Sequence, residues 1–241
     1  MLSNEKLKLI FTEKPYNFRK DTSEVFIHEQ IEKIKEENSI EPDGVFYLNQ
    51  IHSDKIRPIH SLVMGTPGEY GRVAGSGDGM ITNVPNILLS IRIADCCPVL
   101  LYDPVKNVQA AIHSGWRGTL LQITKKAVEK MGDIYSSHPD NIQAFIGPSI
   151  GMEHFEVQED VKKQWEETFD FAQEVLEKKD ETHWNINLKE TNRRILLLAG
   201  LKEENITVSE RDTYGDKNLH SYRRDQPDYG LNSMLSMILP S

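Results

Sequence analysis

Cysteine is nearly absent from these 241 residues: there are two, Cys96 and Cys97, and they are adjacent. Neighbouring residues do not reach the geometry of an ordinary bridge, so no disulfide framework is expected and both thiols are free for metal or chemistry. Long apolar runs are missing as well; none approaches the ~18 residues of a membrane span. Residues 1–15 carry charges throughout, without the continuous apolar stretch of a signal peptide. The expectation is a reduced, cytoplasmic protein with no membrane partner. Positive charge is in deficit too, with 28 Lys and Arg against 37 Asp and Glu and a net charge of −9. Phosphate backbones are neutralised by a basic footprint, so nucleic acid is not an expected partner, although a local anion pocket stays open. With 38% hydrophobic and 27% charged residues, the chain buries a full core without staples, and residues 1–241 are read as one domain.

Apolar spacing predicts a helix over 21–38, with Asp21 and Thr22 as potential caps and Phe26, Ile27, Ile31 and Ile34 on one face. Residues 45–51 read as a strand running into His52. The stretch 61–78 is rich in glycine with no period and reads as a long loop or flap. Branched apolar runs at 87–94, 98–102 and 108–112 are strands, the last two joined by the turn 103–107 as a hairpin. If Asp103 pairs with Val108, Pro98 faces His113, and Cys96 lies two residues further along on the same side. Cys97 then turns to the opposite face and the core. A helix is expected immediately after Gly118, capped by Thr119 and carrying Leu120, Ile123, Ala127, Val128 and Met131, with its positive end toward His113. Further on, Gln143–Ile146 is a strand, Glu159–Thr168 a helix, and 174–181 an exposed, charged helix end. Asn187 with Glu190 resembles a capping box before a helix over 194–201, where Gly200 sits near the stop, and 206–209 returns as a strand. Because a hairpin interrupts the strand and helix alternation, the expected fold class is mixed α/β (α+β), a mixed sheet with helices outside.

His52 and His113 each end a predicted strand and each precede a serine, which leaves their rings room to face a cleft. With Cys96 they make a His/Cys/His set with an open fourth position, the pattern of a catalytic rather than a structural zinc. Taken singly, a free cysteine is commonly a buried packing residue and a strand-end histidine solvated. The set is what points to chemistry. A dication and a nearby helix start would both favour the Cys96 thiolate. Asp78, between Gly77 and Gly79, and Asp95, beside Cys96, are the carboxylates placed to orient a ligand or act as general acid or base; an Asx turn explains Asp78 equally. Arg117, before the predicted helix, suits an anion such as phosphate or a surface ion pair. Arg223 and Arg224 read as a second anion clamp or a solvated basic spot. His28, His60, His138, His154, His183 and His220 are read as surface.

Gln50-Ile51-His52, Ala94-Asp95-Cys96-x-Pro98-Val99-Leu100-Leu101 and His113-Ser114-Gly115-Trp116-Arg117-Gly118 together resemble the signature of the laccase-domain family, also called multicopper polyphenol oxidase family proteins. The likeness continues through 146–151, Phe155-Glu156-Val157, Asn187-Leu188-Lys189 and Ser221-Tyr222-Arg223-Arg224, in order over most of the chain. The resemblance implies a zinc ion on His52, Cys96 and His113. Gln50, Arg117, Arg223 and Arg224 are read toward phosphate and substrate, and Trp116 as either stacking on a purine or ribose or packing in the core. It also implies phosphorolysis of adenosine, inosine, guanosine and S-methyl-5′-thioadenosine, with adenosine deaminase activity, on small-molecule nucleoside and phosphate substrates. The implied fold is a layered α/β/β/α sandwich related to the cytotoxic necrotizing factor catalytic domain.

Copper is suggested by the family name, but a trinuclear cluster plus a blue copper site needs more histidines than the eight here, many in His-x-His pairs, and no such pair occurs. One mixed nitrogen and sulfur set suits zinc better, and polyphenol oxidation is not expected. The cytidine-deaminase pattern, His-x-Glu followed by Pro-Cys-x-x-Cys, is also absent. A rival enzyme reading makes Cys96 the nucleophile and His113 its base, a cysteine hydrolase or amidase editing peptidoglycan precursors as some relatives are held to do. A binding module with structural zinc is weaker, because such sites normally have four protein ligands.

Overall fold

The computed structural model describes residues 5–19 and 24–240. In chain order, β1 (Leu7–Phe11) and α1 (Glu24–Asn38) precede β2 (Gly44–Asn49), β3 (Ile56–Pro58), β4 (Thr66–Gly68), β5 (Gly71–Ser76) and β6 (Gly79–Thr82). Then come β7 (Ile87–Ile93), β8 (Cys97–Asp103), β9 (Val108–Ser114), α2 (Trp116–Leu120), α3 (Ile123–Tyr135), β10 (Gln143–Ile146), β11 (Glu156–Gln158) and α4 (Glu159–Thr168). The last part holds α5 (Ala172–Val175), β12 (Leu176–Lys178), β13 (His183–Ile186), α6 (Leu188–Leu198), β14 (Ile206–Val208), α7 (Tyr222–Asp225) and β15 (Asn232–Ile238).

Two six-stranded mixed sheets, β1-β15-β7-β2-β5-β4 and β14-β10-β8-β9-β6-β3, and a small sheet β11-β13-β12 result. Successive strand residues point to opposite faces, and β8 shows how this builds layers. Its Leu100 and Tyr102 join Phe46, Leu48, Leu89, Ile91 and Met234 of the first large sheet in one apolar cluster between the sheets. Its Val99 and Leu101 face the other way, onto Ile123, Ala127 and Met131 of α3 and Ile195 of α6. On the far side, Ile27, Ile31 and Ile34 of α1 cover Tyr47, Leu88, Leu235 and Met237. The order is helix, sheet, sheet, helices, as expected for an α/β/β/α sandwich. Strands buried on both faces have no polar alternation, which is why 98–102 reads as a continuous apolar run.

The hairpin register is the expected one, Asp103 opposite Val108 and Pro98 opposite His113. Several expectations are corrected. The supposed loop at 61–78 contains β4 and β5, which pair with each other and, through β5, with β2; glycine and charge hide short strands whose order comes from neighbours. The strand before His52 stops at Asn49. The helix after Gly118 begins earlier, at Trp116, and breaks at Gln122, whose left-handed backbone (φ 54°) separates α2 from α3. Thr119 is therefore inside α2, its hydroxyl bonded to the Gly115 carbonyl. The capping side chain of Asn187 accepts the Glu190 N–H, but Glu190 turns to Arg193 and Arg194, and the helix starts at Leu188 rather than 194. The charged stretch near 174–181 is α5 followed by strand β12. Phe26 is exposed instead of sharing the buried face of α1, and Asp21 and Thr22 lie outside the described residues.

Candidate metal centre

One carboxylate organises the site. Asp78, fully buried in the turn between β5 and β6, accepts the His113 Nδ1–H at 2.9 Å and the backbone N–H groups of His52 at 3.0 Å and Ser53 at 2.6 Å, as well as the Ser53 hydroxyl at 2.7 Å. The Asp78 carbonyl also accepts the His113 backbone N–H at 2.7 Å. Burial alone would raise the Asp78 pKa, but the bonds from His113 and Ser53 outweigh it and hold the acid down at about 2. A carboxylate accepting from Nδ1–H fixes the His113 tautomer and leaves Nε2 as the ligand atom.

Backbone geometry completes the convergence. His113 is the penultimate residue of β9, opposite Pro98 and 3% exposed. The chain leaving β7 turns through Asp95 in a left-handed conformation (φ 81°), and His52 also sits at positive φ (57°). Such conformations are uncommon for residues with a Cβ and are held by surrounding bonds. Asp95 is held by the Thr213 hydroxyl and the Arg223 N–H, each donating to one carboxylate oxygen at 2.6 Å. The outcome is that one ligand atom from each of His52, Cys96 and His113 lies within 4.8 Å of the others. The Cys96 sulfur is 3.9 Å from His52 Nε2, and the two imidazoles meet edge to face. Gly115 permits this closeness, since a Cβ there would stand 2.9 Å from Cys96 Sγ and 3.0 Å from the His52 ring.

Electrostatics favours the ligating thiolate of Cys96 and, until an ion binds, the protonated form of His113. Burial raises the Cys96 thiol, yet the charge and hydrogen bonding of His113 and His52 bring it down to about 6. Burial conversely lowers His113, and the Cys96 thiolate with Asp78 lifts it to about 9. Cys97 faces the core as expected, with burial pushing its thiol up to about 12.

The triangle forms part of the wall of a cavity of about 980 Å³. Gln50, Asp95, Arg117 and Arg223 also line it. The Gln50 amide is bonded to the Arg92 backbone at both ends, and Arg117 lies over the Trp116 ring at 4.1 Å. Arg223 is tied to the carbonyls of His154 and Glu156. Arg224 is not brought to the cavity: its guanidinium is spent on the carbonyls of Thr213, Tyr214, Asp216 and Leu219 and on Asp225. The anion clamp is thus corrected to a tie between two chain segments. Among the six other histidines, His28, His60 and His138 are exposed, whereas His154, His183 and His220 are half-buried and bonded, His154 to Asp212 at 2.6 Å. Sequence reasoning gave no role to Arg19, Arg92, Phe155, Tyr222 and Tyr229, all of which line the cavity. Phe155 and Tyr222 stand inside the quoted motifs, and Arg92 stands near the end of the strand that leads into one, signals that could have found them; Arg19 and Tyr229 carry none.

Residues 16–239 match the family model described as multi-copper polyphenol oxidoreductase laccase. The chain is 33% identical over 194 residues to the purine nucleoside phosphorylase YlmD of Bacillus subtilis, 80% of this chain and 69% of that protein. It is 36% identical over 188 residues to a purine nucleoside phosphorylase of Deinococcus radiodurans, covering 78% and 68%. Adenosine deaminase RL5, from an unknown prokaryotic organism, is 30% identical over 173 residues, covering 71% and 66%. Among solved structures, the hypothetical protein YfiH of Bacillus licheniformis superposes with a TM-score of 0.86 at 25% identity, covering 96% of this chain and 92% of that one.

Proposed function

The chain belongs to the multi-copper polyphenol oxidoreductase laccase family, and from that membership we propose that it is a zinc-dependent purine nucleoside phosphorylase that also deaminates adenosine. Adenosine, inosine, guanosine and S-methyl-5′-thioadenosine are its proposed substrates, and the layered sandwich is proposed to act as one domain. The free thiols suit a reducing compartment, and the cytoplasm is the proposed location. The relatives' names support the reaction class. The observation that carries the reading is the His52, Cys96 and His113 triangle in the wall of a cavity also lined by four arginines, Arg19, Arg92, Arg117 and Arg223.

Two imidazole nitrogens and a thiolate form a borderline donor set that fits zinc and leaves one tetrahedral position open. Among the described residues this is the one such group of three, far short of a multicopper array. A divalent ion held there supplies Lewis acidity beside the substrate. In phosphorolysis a phosphate oxygen bonds to ribose C1′ as the C1′–N9 bond breaks, and the purine departs with the electron pair and takes up a proton. Arg117 and Arg223 neutralise and orient the phosphate, for which guanidinium is well matched. Gln50, locked to the Arg92 backbone, shapes the wall. Asp78 and Asp95 act by position in this scheme, because their carboxylate oxygens already accept hydrogen bonds. Incubation of the protein with adenosine, analysed by chromatography, tests the reading. Adenine with ribose 1-phosphate is expected only when phosphate is present, inosine without it, and neither after metal removal; unchanged adenosine overturns the proposal.

One observation favours a second reading. Cys96, His113 and Asp78 are arranged as nucleophile, base and orienting carboxylate, with the thiol lowered to about 6. A cysteine amidase of this kind would work after chelation and be stopped by alkylation of Cys96, the reverse of the behaviour expected from the metal enzyme.

A further inference from the structure

Four aromatic rings line the cavity, and three are already occupied. Trp116 and Phe155 pack against the apolar cluster beneath α3 and α6, and the Arg117 guanidinium covers Trp116. Tyr229 carries the Arg19 guanidinium at 4.4 Å from its ring centre. Tyr222 differs: it is 47% exposed, and its ring contact is with Tyr229, T-shaped at 4.8 Å and 81°. Among the described residues no ring lies parallel to it and no cation covers it.

An exposed tyrosine alone is ordinary, but this one stands on a fixed backbone. The Ser221 hydroxyl accepts the Arg224 N–H at 3.2 Å, the Ser221 N–H donates to Asp225 at 3.2 Å, and the Arg224 guanidinium grips four carbonyls of 213–219. The next residue, Arg223, donates its backbone N–H to Asp95, the neighbour of Cys96. Tyr222 is therefore linked through one residue and one hydrogen bond to the loop that carries the sulfur ligand. An open ring on a backbone fixed relative to the ligand triangle suits a flat partner, with only the side chain left to be ordered on binding.

Resting on the purine nucleoside reading above, we infer that Tyr222 is the platform on which the purine base stacks, and that its tie to Asp95 sets the base's place relative to His52, Cys96 and His113. Stacking needs the ring and not the hydroxyl. Inosine without phosphate is a suitable probe, since it offers neither an amino group to remove nor a nucleophile for cleavage. By calorimetry, Tyr222→Ala is expected to weaken inosine binding by roughly tenfold or more, on the scale of base stacking on aromatic side chains. Tyr222→Phe should stay within about threefold of the unaltered protein on the same scale, and in both variants the metal content and the KM for phosphate should be unchanged. Inosine binding retained by Tyr222→Ala, or lost equally in Tyr222→Phe, overturns the inference while leaving the purine reading intact. Failure of the unaltered protein to bind inosine overturns both.

Discussion

His113 and His52 present the same imidazole to the same point by opposite means. His113 lies in a strand paired with β8 on one side and β6 on the other, and is buried. His52 lies in a loop, exposed, with left-handed backbone, and its N–H is held by the Asp78 carboxylate. A ligand on a ladder is placed by the fold; a ligand on a loop is placed by whatever side chain grips the loop. Asp78 touches both, but His113 is already placed by β9, and there the Asp78 carboxylate orients the ring while its carbonyl adds one backbone bond; for residues 52 and 53 the carboxylate is the scaffold.

Removing a ligand is the most severe way to probe this difference. His52→Ala, Cys96→Ala and His113→Ala are each expected to lower zinc retention by more than about a hundredfold, beyond the range for outer-sphere partners, and to abolish turnover, as measured by elemental analysis and nucleoside assay. Only His113→Ala should also lower the melting temperature markedly. Equal thermal losses for His52→Ala and His113→Ala would erase the proposed contrast.

Asp78→Asn is milder and sharper, with metal affinity expected to fall about 10–100-fold. Hydrogen exchange should rise at 51–53 while β9 stays protected; the opposite pattern would show that Asp78 serves the strand rather than the loop. The same residue gives a pH effect. Its folded pKa of about 2 lies below the ordinary 3.8, so its stabilisation is present above about pH 4 and lost as pH falls toward 2. That loss is about 2 kcal/mol, measurable as a drop in melting temperature of metal-stripped protein, and Asp78→Asn should remove that acid limb. The smallest expected effect is that of Gly115→Ala. A methyl 2.9 Å from the sulfur and 3.0 Å from the His52 ring should push the exposed histidine aside and weaken metal binding about tenfold, the cost typical of overpacking, with turnover falling in proportion.

The same contrast explains what could be read from the chain. The Asp103 to Val108 pairing was legible because an Asp-Pro turn separates two branched apolar runs, and it fixed His113 opposite Pro98. Helix α4 was read with the bounds it has, Glu159–Thr168. By contrast, β15 was not read: Asn232, Ser233 and Ser236 are fully buried in it, so polarity masks a strand between β1 and β7. The break at Gln122 carries no glycine to announce the left-handed turn. At the site, the meeting of His52, Cys96 and His113 was readable from the motifs that carry them. The dual duty of Asp78 was not, because a turn-forming carboxylate and a histidine-orienting one look alike until residues 51–53 and 113 are seen to meet on it.

Exposure is graded across the ligand triangle, from open His52 through half-covered Cys96 to enclosed His113. Anything arriving from solvent meets the first before the last. An ion held as proposed would therefore be approached from the side of His52, where Asp78 grips Ser53. Its exchange is then expected to follow the loosening of a three-residue loop more closely than any motion of the sandwich behind it.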